Sequence, residues 1–108
     1  MAGDLQELFA RVRDFDWNPK KREDNLRDHK IDFEDIKGIF DGPIFIRRSD
    51  RHGETRYQVF GHVAGHEIAL ACALRNDLCW FISARPASRS ERRKYYSSLK
   101  RRFPPRQD

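Results

Sequence analysis

Cysteine is scarce in this 108-residue chain: there are two, Cys72 and Cys79, and neither has a suitably spaced histidine beside it. A disulfide framework and a cysteine-based zinc site are therefore both disfavoured, and two small buried thiols are expected. Long apolar runs are also missing. The longest, Ile68 to Leu74, covers seven residues, far short of a bilayer-crossing helix. The chain does not open on a basic segment followed by an apolar stretch, so no secretory signal is expected and cytoplasmic residence is the default. There is no glycine-rich phosphate loop and no Gly-x-Ser-x-Gly elbow, which disfavours nucleotide hydrolysis and serine-hydrolase chemistry. His62 and His66 flank a hairpin turn with no acidic or cysteine cluster beside them, and no metal or other cofactor is expected.

Charge and aromatics are plentiful. Charged residues make up 36% of the chain and aromatics 12%, enough apolar surface for the single core that a chain of this length can bury. The net charge of +5 is unevenly spread. Residues 1–42 carry 8 basic and 11 acidic side chains, residues 43–108 carry 14 and 6, and residues 85–108 alone carry nine and two. A basic half suits a polyanion, and an acidic half suits a second partner. A solvated arginine-rich helix face is the plain alternative.

Leu5, Leu8, Phe9 and Val12 recur at helical spacing and predict a helix over 4–13. Phe15 and Trp17 alternate with Asp14 and Asp16, as in a brief strand. Asn18-Pro19 opens a helix reaching about His29. Asp32 caps another, which carries Phe33, Ile36, Ile39 and Phe40 and ends at Asp41-Gly42-Pro43. From there the period becomes two, and strands are predicted at about 43–49, 55–63, 67–75 and 78–85. Residues 50–54, Ala64-Gly65 and Asn76-Asp77 are the turns of an antiparallel meander. Ser88-Arg-Ser-Glu91 is a capping box opening a last helix that reaches about Arg102, before Pro104-Pro105. The class is α+β: N-terminal helices, a four-stranded antiparallel sheet and a C-terminal helix.

Two-residue turns would set a register in which Tyr57, Val59, Ile68, Leu70, Cys72, Cys79 and Phe81 share one face and pack on the helices. The opposite face would carry Arg56, Gln58, Phe60, His62, Ala71, Ala73, Arg75, Trp80 and Ile82. That mixture suits a nucleic-acid groove, and equally a sheet face half-covered by the last helix.

Three blocks carry a resemblance: Trp17-Asn-Pro-Lys-Lys21 followed by Asn25, His29 and Phe33; Phe40-Asp-Gly-Pro43; and Ile82-Ser-Ala-Arg85 followed by Ala87, Glu91-Arg92 and Tyr95. With Arg56, Gly61 and Arg75 at matching intervals, residues 15–96 resemble the BrnT toxins. Residues 1–14 are then an added helical segment and 97–108 a basic tail of one domain. The resemblance implies a RelE-like fold, a growth-arresting ribonuclease and a BrnA-like antitoxin with a ribbon-helix-helix part, in a complex that represses its own operon. RNA, that antitoxin and a second toxin copy within the complex are the partners implied. The chain departs from the family's pattern at Trp80, where arginine is common, and at Ala73, where threonine is common.

Metal-free RNA cleavage needs the 2′-hydroxyl proton removed, charge on the phosphorane stabilised and the leaving 5′ oxygen assisted. Arginine suits the second task, and Arg56, Arg75 and Arg85 lead, each with a surface ion pair as its plain alternative. His29 fits acid–base work, or a helix-terminal histidine. Lys21 fits a phosphate contact or an exposed lysine, and Glu34 a base or a first-turn acid. Trp80 and Tyr95 fit base stacking or packing, and Arg89 and Arg92 phosphate contacts on the last helix. Two functions remain open: an endoribonuclease, and a binding module that keeps the groove but cleaves weakly, which Trp80 would favour. A DNA-binding regulator acting alone lacks a helix-turn-helix or ribbon motif.

Overall fold

A computed structural model describes residues 2–104. In chain order the elements are α1 (Ala2–Ala10), β1 (Asp14–Trp17), α2 (Pro19–His29), α3 (Phe33–Ile36), a 3-10 turn (Lys37–Asp41), β2 (Phe45–Arg48), β3 (Tyr57–Val63), β4 (His66–Arg75), β5 (Leu78–Pro86) and α4 (Arg89–Arg102). The cap signals act as the sequence suggests. Asn18 accepts from Lys20 N with Pro19 at the first helical position, Asp32 accepts from Glu34 N, and Ser88 and Glu91 close a reciprocal capping box. Of the expected basic tail, residues 97–102 belong to α4, and 105–108 lie outside the described residues, as does Met1.

Two expectations need correction. The sheet is five-stranded and mixed, in the order β1-β5-β4-β3-β2, rather than four-stranded and antiparallel. The brief strand at 14–17 joins it as an edge, parallel to β5, with Asp16 beside Trp80 and Trp17 beside Phe81. No turn signal announces such a pairing, because everything between β1 and β5 intervenes; the aromatic side chains hold it. Phe15 and Trp17 lie on Phe81 at ring-centroid distances of 5.6 Å each, and Trp17 meets Phe33 edge-on at 5.8 Å. The helix expected from Asp32 to Phe40 is also divided, its second half tightening into the 3-10 turn. That turn drives Ile39 against β3 at Gly61, where a Cβ would stand 2.6 Å from Ile39 Cγ1, so only glycine permits the approach.

Register is as predicted between β3 and β4, from Tyr57↔Cys72 to Val63↔His66. The turn residues Ala64 and Gly65 both take positive φ, as a tight hairpin needs. Between β4 and β5 it is as predicted only as far as Cys72↔Phe81. There a bulge at Ile82 shifts the pairing to Ala71↔Ser83, Leu70↔Ala84 and Ala69↔Arg85. The alternation of β5 therefore reverses. Ala84 enters the main core with Val59, Leu70, Cys72, Cys79 and Phe81, packed under Phe9, Phe33, Ile36 and Ile39. Arg85 goes to the other face, where Phe60, Ala69 and Tyr95 form a smaller cluster beneath α4 with Phe45 and Leu99 at its margin.

Beyond Phe81 the outer edge of β5 has no strand partner, because β1 ends at Trp17. Buried Asn25 of α2 takes over: its Oδ1 accepts from Ala84 N and its Nδ2 donates to Ile31 O, both at 2.9 Å. A buried backbone N–H without an acceptor costs about 1–3 kcal/mol. Replacing Asn25 by Ala is expected to lower stability by about 2–3 kcal/mol, read as a shift of the urea midpoint at constant slope. An unchanged midpoint would show that this clamp contributes nothing.

Candidate active site

The face carrying α4 is covered only in part. Ala69, Ala71 and Ala73 run along β4 on this side, and their small side chains leave a trough between β3 and β5. A pocket of about 240 Å³ opens there, lined by Ser49, Arg51, Arg56 and Gln58 on one wall and by Ile82, Ser83 and Arg85 on the other. The bulge builds the second wall, since it places Ile82 and Ser83 side by side and brings Arg85 round from the core side.

Arg51, Arg56 and Arg85 line this pocket, and Arg47 reaches its margin through Gln58. Arg47 Nε donates to Gln58 Oε1 at 2.7 Å, its guanidinium lies 5.1 Å from the Phe60 ring centre, and Nη2 is 3.6 Å from Glu91 Oε2. Arg85 is held more firmly: Nη1 and Nη2 donate to the two Glu91 oxygens at 2.7 and 2.8 Å. These paired bonds, with Ser88 N–H donating to the same carboxylate, outweigh burial and pull Glu91 down to about 2. Glu91 also raises the Arg85 guanidinium. Arg56 is placed differently. Its Nη2 stands 3.5 Å from Glu54 Oε2, and its Nε is buried with no hydrogen-bond partner among the described residues. That N–H is closed to solvent, so an anionic oxygen in the pocket would meet the exposed part of the Arg56 guanidinium instead.

The other sequence candidates are scattered. Arg75 lies further along β4 on the same face, its guanidinium 4.7 Å from the Trp80 ring centre. Arg89 and Arg92 lie on α4, beside a shallow hollow shared with Arg93, Tyr96 and Lys100, and Arg92 Nη1 donates to Ala87 O. Lys21 is exposed on α2, and Glu34 pairs with Lys37 at 3.0 Å. His29 ends α2 and lines a separate cleft of about 440 Å³ with Ile31, Ile36, Val63, His66 and Ala87. None of His29, Lys21 and Glu34 lines the arginine trough: α3 packs into the core on the other side of the sheet, α2 lies along the outer edge of β5, and the His29 cleft is shared with Arg92 of α4. Tyr95 takes the packing alternative: only 1% exposed, it packs on Phe60 and donates to Pro43 O at 2.9 Å. Among the described residues no three His, Cys, Asp or Glu side chains gather as metal ligands, and no helix is long and apolar enough to cross a membrane.

Sequence reasoning missed Arg47, Arg51, Ser83 and Glu91. Arg47 shares the strand alternation of Phe45 and had a readable signal. Glu91 was hidden by its capping-box role, and Ser83 by a bulge that no residue type marks.

A model of the family described as the ribonuclease toxin BrnT of type II toxin-antitoxin systems matches residues 17–91, more than half of the chain. The chain belongs to that family, whose toxins work opposite an antitoxin partner. No curated protein matches the chain significantly. The matched segment holds Arg56, Arg75, Trp80, Arg85 and Glu91, and leaves out α1 and most of α4.

The depressed Glu91 carboxyl makes the site acid-sensitive. Its folded pKa lies below the unfolded value, so the stability it contributes is present above about 4.5 and is lost as pH falls toward about 2. Glu91→Gln keeps the cap geometry and removes the charge. It is expected to cost about 1.5–3 kcal/mol at pH 7, with the gap to wild type closing between pH 4.5 and 2 in denaturation scans. A gap independent of pH would remove the ion pair as its cause.

Proposed function

We propose that this BrnT-family chain is a metal-independent endoribonuclease whose scissile phosphate sits in the Arg56 pocket. The observation that carries this is the pocket itself, lined by Arg51, Arg56 and Arg85, of which only Arg85 is held by Glu91. In such a site the 2′ oxygen of the preceding ribose attacks phosphorus and the bond to the 5′ oxygen breaks, leaving a 2′,3′-cyclic phosphate and a 5′-hydroxyl. Arg56 donates Nη–H to the phosphorane oxygens, where negative charge grows in the transition state. The Ser83 hydroxyl on the facing wall offers a further donor. In this reading Glu54, 3.5 Å from Arg56, takes the 2′-hydroxyl proton, and solvent at the open mouth protonates the departing 5′ oxygen. Arg85 and Arg47, both near Glu91, keep the pocket's potential positive and its wall rigid.

The partner in this reading is a BrnA-like ribbon-helix-helix antitoxin that covers the trough with acidic or apolar segments, within a complex that represses its own operon. RNA in the cytoplasm is the target, and the arrangement of helices around one sheet is taken as RelE-like. A second reading, a binding module that cleaves weakly, has support in the same geometry: Arg85 is already tied to Glu91 and Arg75 to Trp80.

Purified protein incubated with a long RNA separates the two. The wild type is expected to cleave with EDTA present, and Arg56→Ala to slow cleavage by about 10²–10³-fold with its denaturation midpoint unchanged. RNA bound but left intact by the wild type would establish the binding module instead. Cleavage by Arg56→Ala at the wild-type rate would move the phosphate elsewhere.

A further inference from the structure

The arginine face continues past Arg56 toward the outer edge of the sheet. Trp80 on β5 stands opposite Ala73, which separates it from the β3 side. Neighbouring strands are about 4.8 Å apart, so the backbones at Trp80 and Arg56 are roughly 10 Å apart across that alanine. This is comparable with the distance from a backbone phosphate to the ring of an adjoining nucleotide. Trp80 is half-buried, and the Arg75 guanidinium covers its ring at 4.7 Å. Arg75 is exposed and in no ion pair among the described residues, so its outer face is open. On the far side β1 sets Asp16 beside Trp80 and Asp14 beside Leu78, both exposed. Charge across this face therefore runs from guanidinium on the β3 side to carboxylate on the β1 side.

We infer that Trp80 and Arg75 form a nucleobase platform, which makes the Arg56 pocket selective for single-stranded RNA; this rests on the nuclease reading above. A planar guanidinium stacked on an indole presents a flat, charged outer face, and every base has a π face to lay on it. A base inside a duplex already has neighbours on both sides and cannot enter such a stack, whereas an unpaired base can be splayed onto it. The carboxylates of Asp14 and Asp16 repel phosphate. The RNA backbone therefore keeps to the arginine side, and the base points toward Trp80. The same placement explains why a tryptophan works where a further arginine would add only charge: the phosphate already has Arg56, and the base needs a surface.

The test uses a 2′-O-methyl oligonucleotide, which lacks the nucleophile and stays intact, presented as a single strand and as a duplex. The wild type is expected to prefer the single strand. Trp80→Ala should lose about tenfold in single-strand affinity and nothing on the duplex, while Trp80→Phe keeps most of the preference. Equal affinity of the wild type for both forms overturns the platform. So does Trp80→Ala binding the single strand as tightly as the wild type, or losing equally on both forms. Cleavage of unmodified single strand and duplex at equal rates likewise overturns it and leaves the nuclease reading standing. A wild type that cleaves neither overturns the nuclease reading, and the binding comparison still decides the platform.

Discussion

One extra residue in β5 decides where this protein puts its charge. Without the bulge at Ile82, the alternation running through Cys79 and Phe81 would carry Ser83 and Arg85 into the core, where an arginine has no partner. The bulge reverses the strand's second half, so Ala84 fills the core and Arg85 joins the arginine face. A bulge leaves backbone groups in need of partners. Here Asn25 supplies one from α2, binding Ala84 N immediately after the kink and tying the α2–α3 loop to the same point through Ile31. The helix layer thereby holds the distortion that shapes the opposite face.

Arg85, once on that face, is committed to Glu91. The pair also fixes α4, because Glu91 is both its capping-box acid and the anchor of two arginines. A buried carboxylate with several charge-assisted donors stays ionised and rigid, and its donors are correspondingly less free to bind an incoming anion. Within the trough this leaves Arg51 and Arg56 as the guanidinium groups not tied to Glu91. Arg85 and Arg56 both line the pocket, and they differ in that Arg85 is paired with buried Glu91 and Arg56 is not.

The candidates that fail to converge do so for a topological reason. Glu34 lies on the core side of the sheet and His29 and Lys21 on a helix along its outer edge, so none of them lines the trough, although His29 shares a cleft with Arg92. Proximity in a motif says nothing about which side of a sheet its members occupy. Tyr95 shows the converse, a motif residue whose hydroxyl and ring are both consumed in seating α4.

By itself the sequence determined the α+β class, the caps of α2, α3 and α4, the β3–β4 register and the family, since each rests on local pattern: turn residues, cap residues, alternation and ordered motifs. Arg56 and Gln58 were legible on one face for the same reason. Tertiary structure alone decided the parallel edge strand, the bulge and the pairing of Arg85 with Glu91, all of which depend on contacts between distant segments. Alternation predicts faces only while a strand stays regular, and the site was built where it does not.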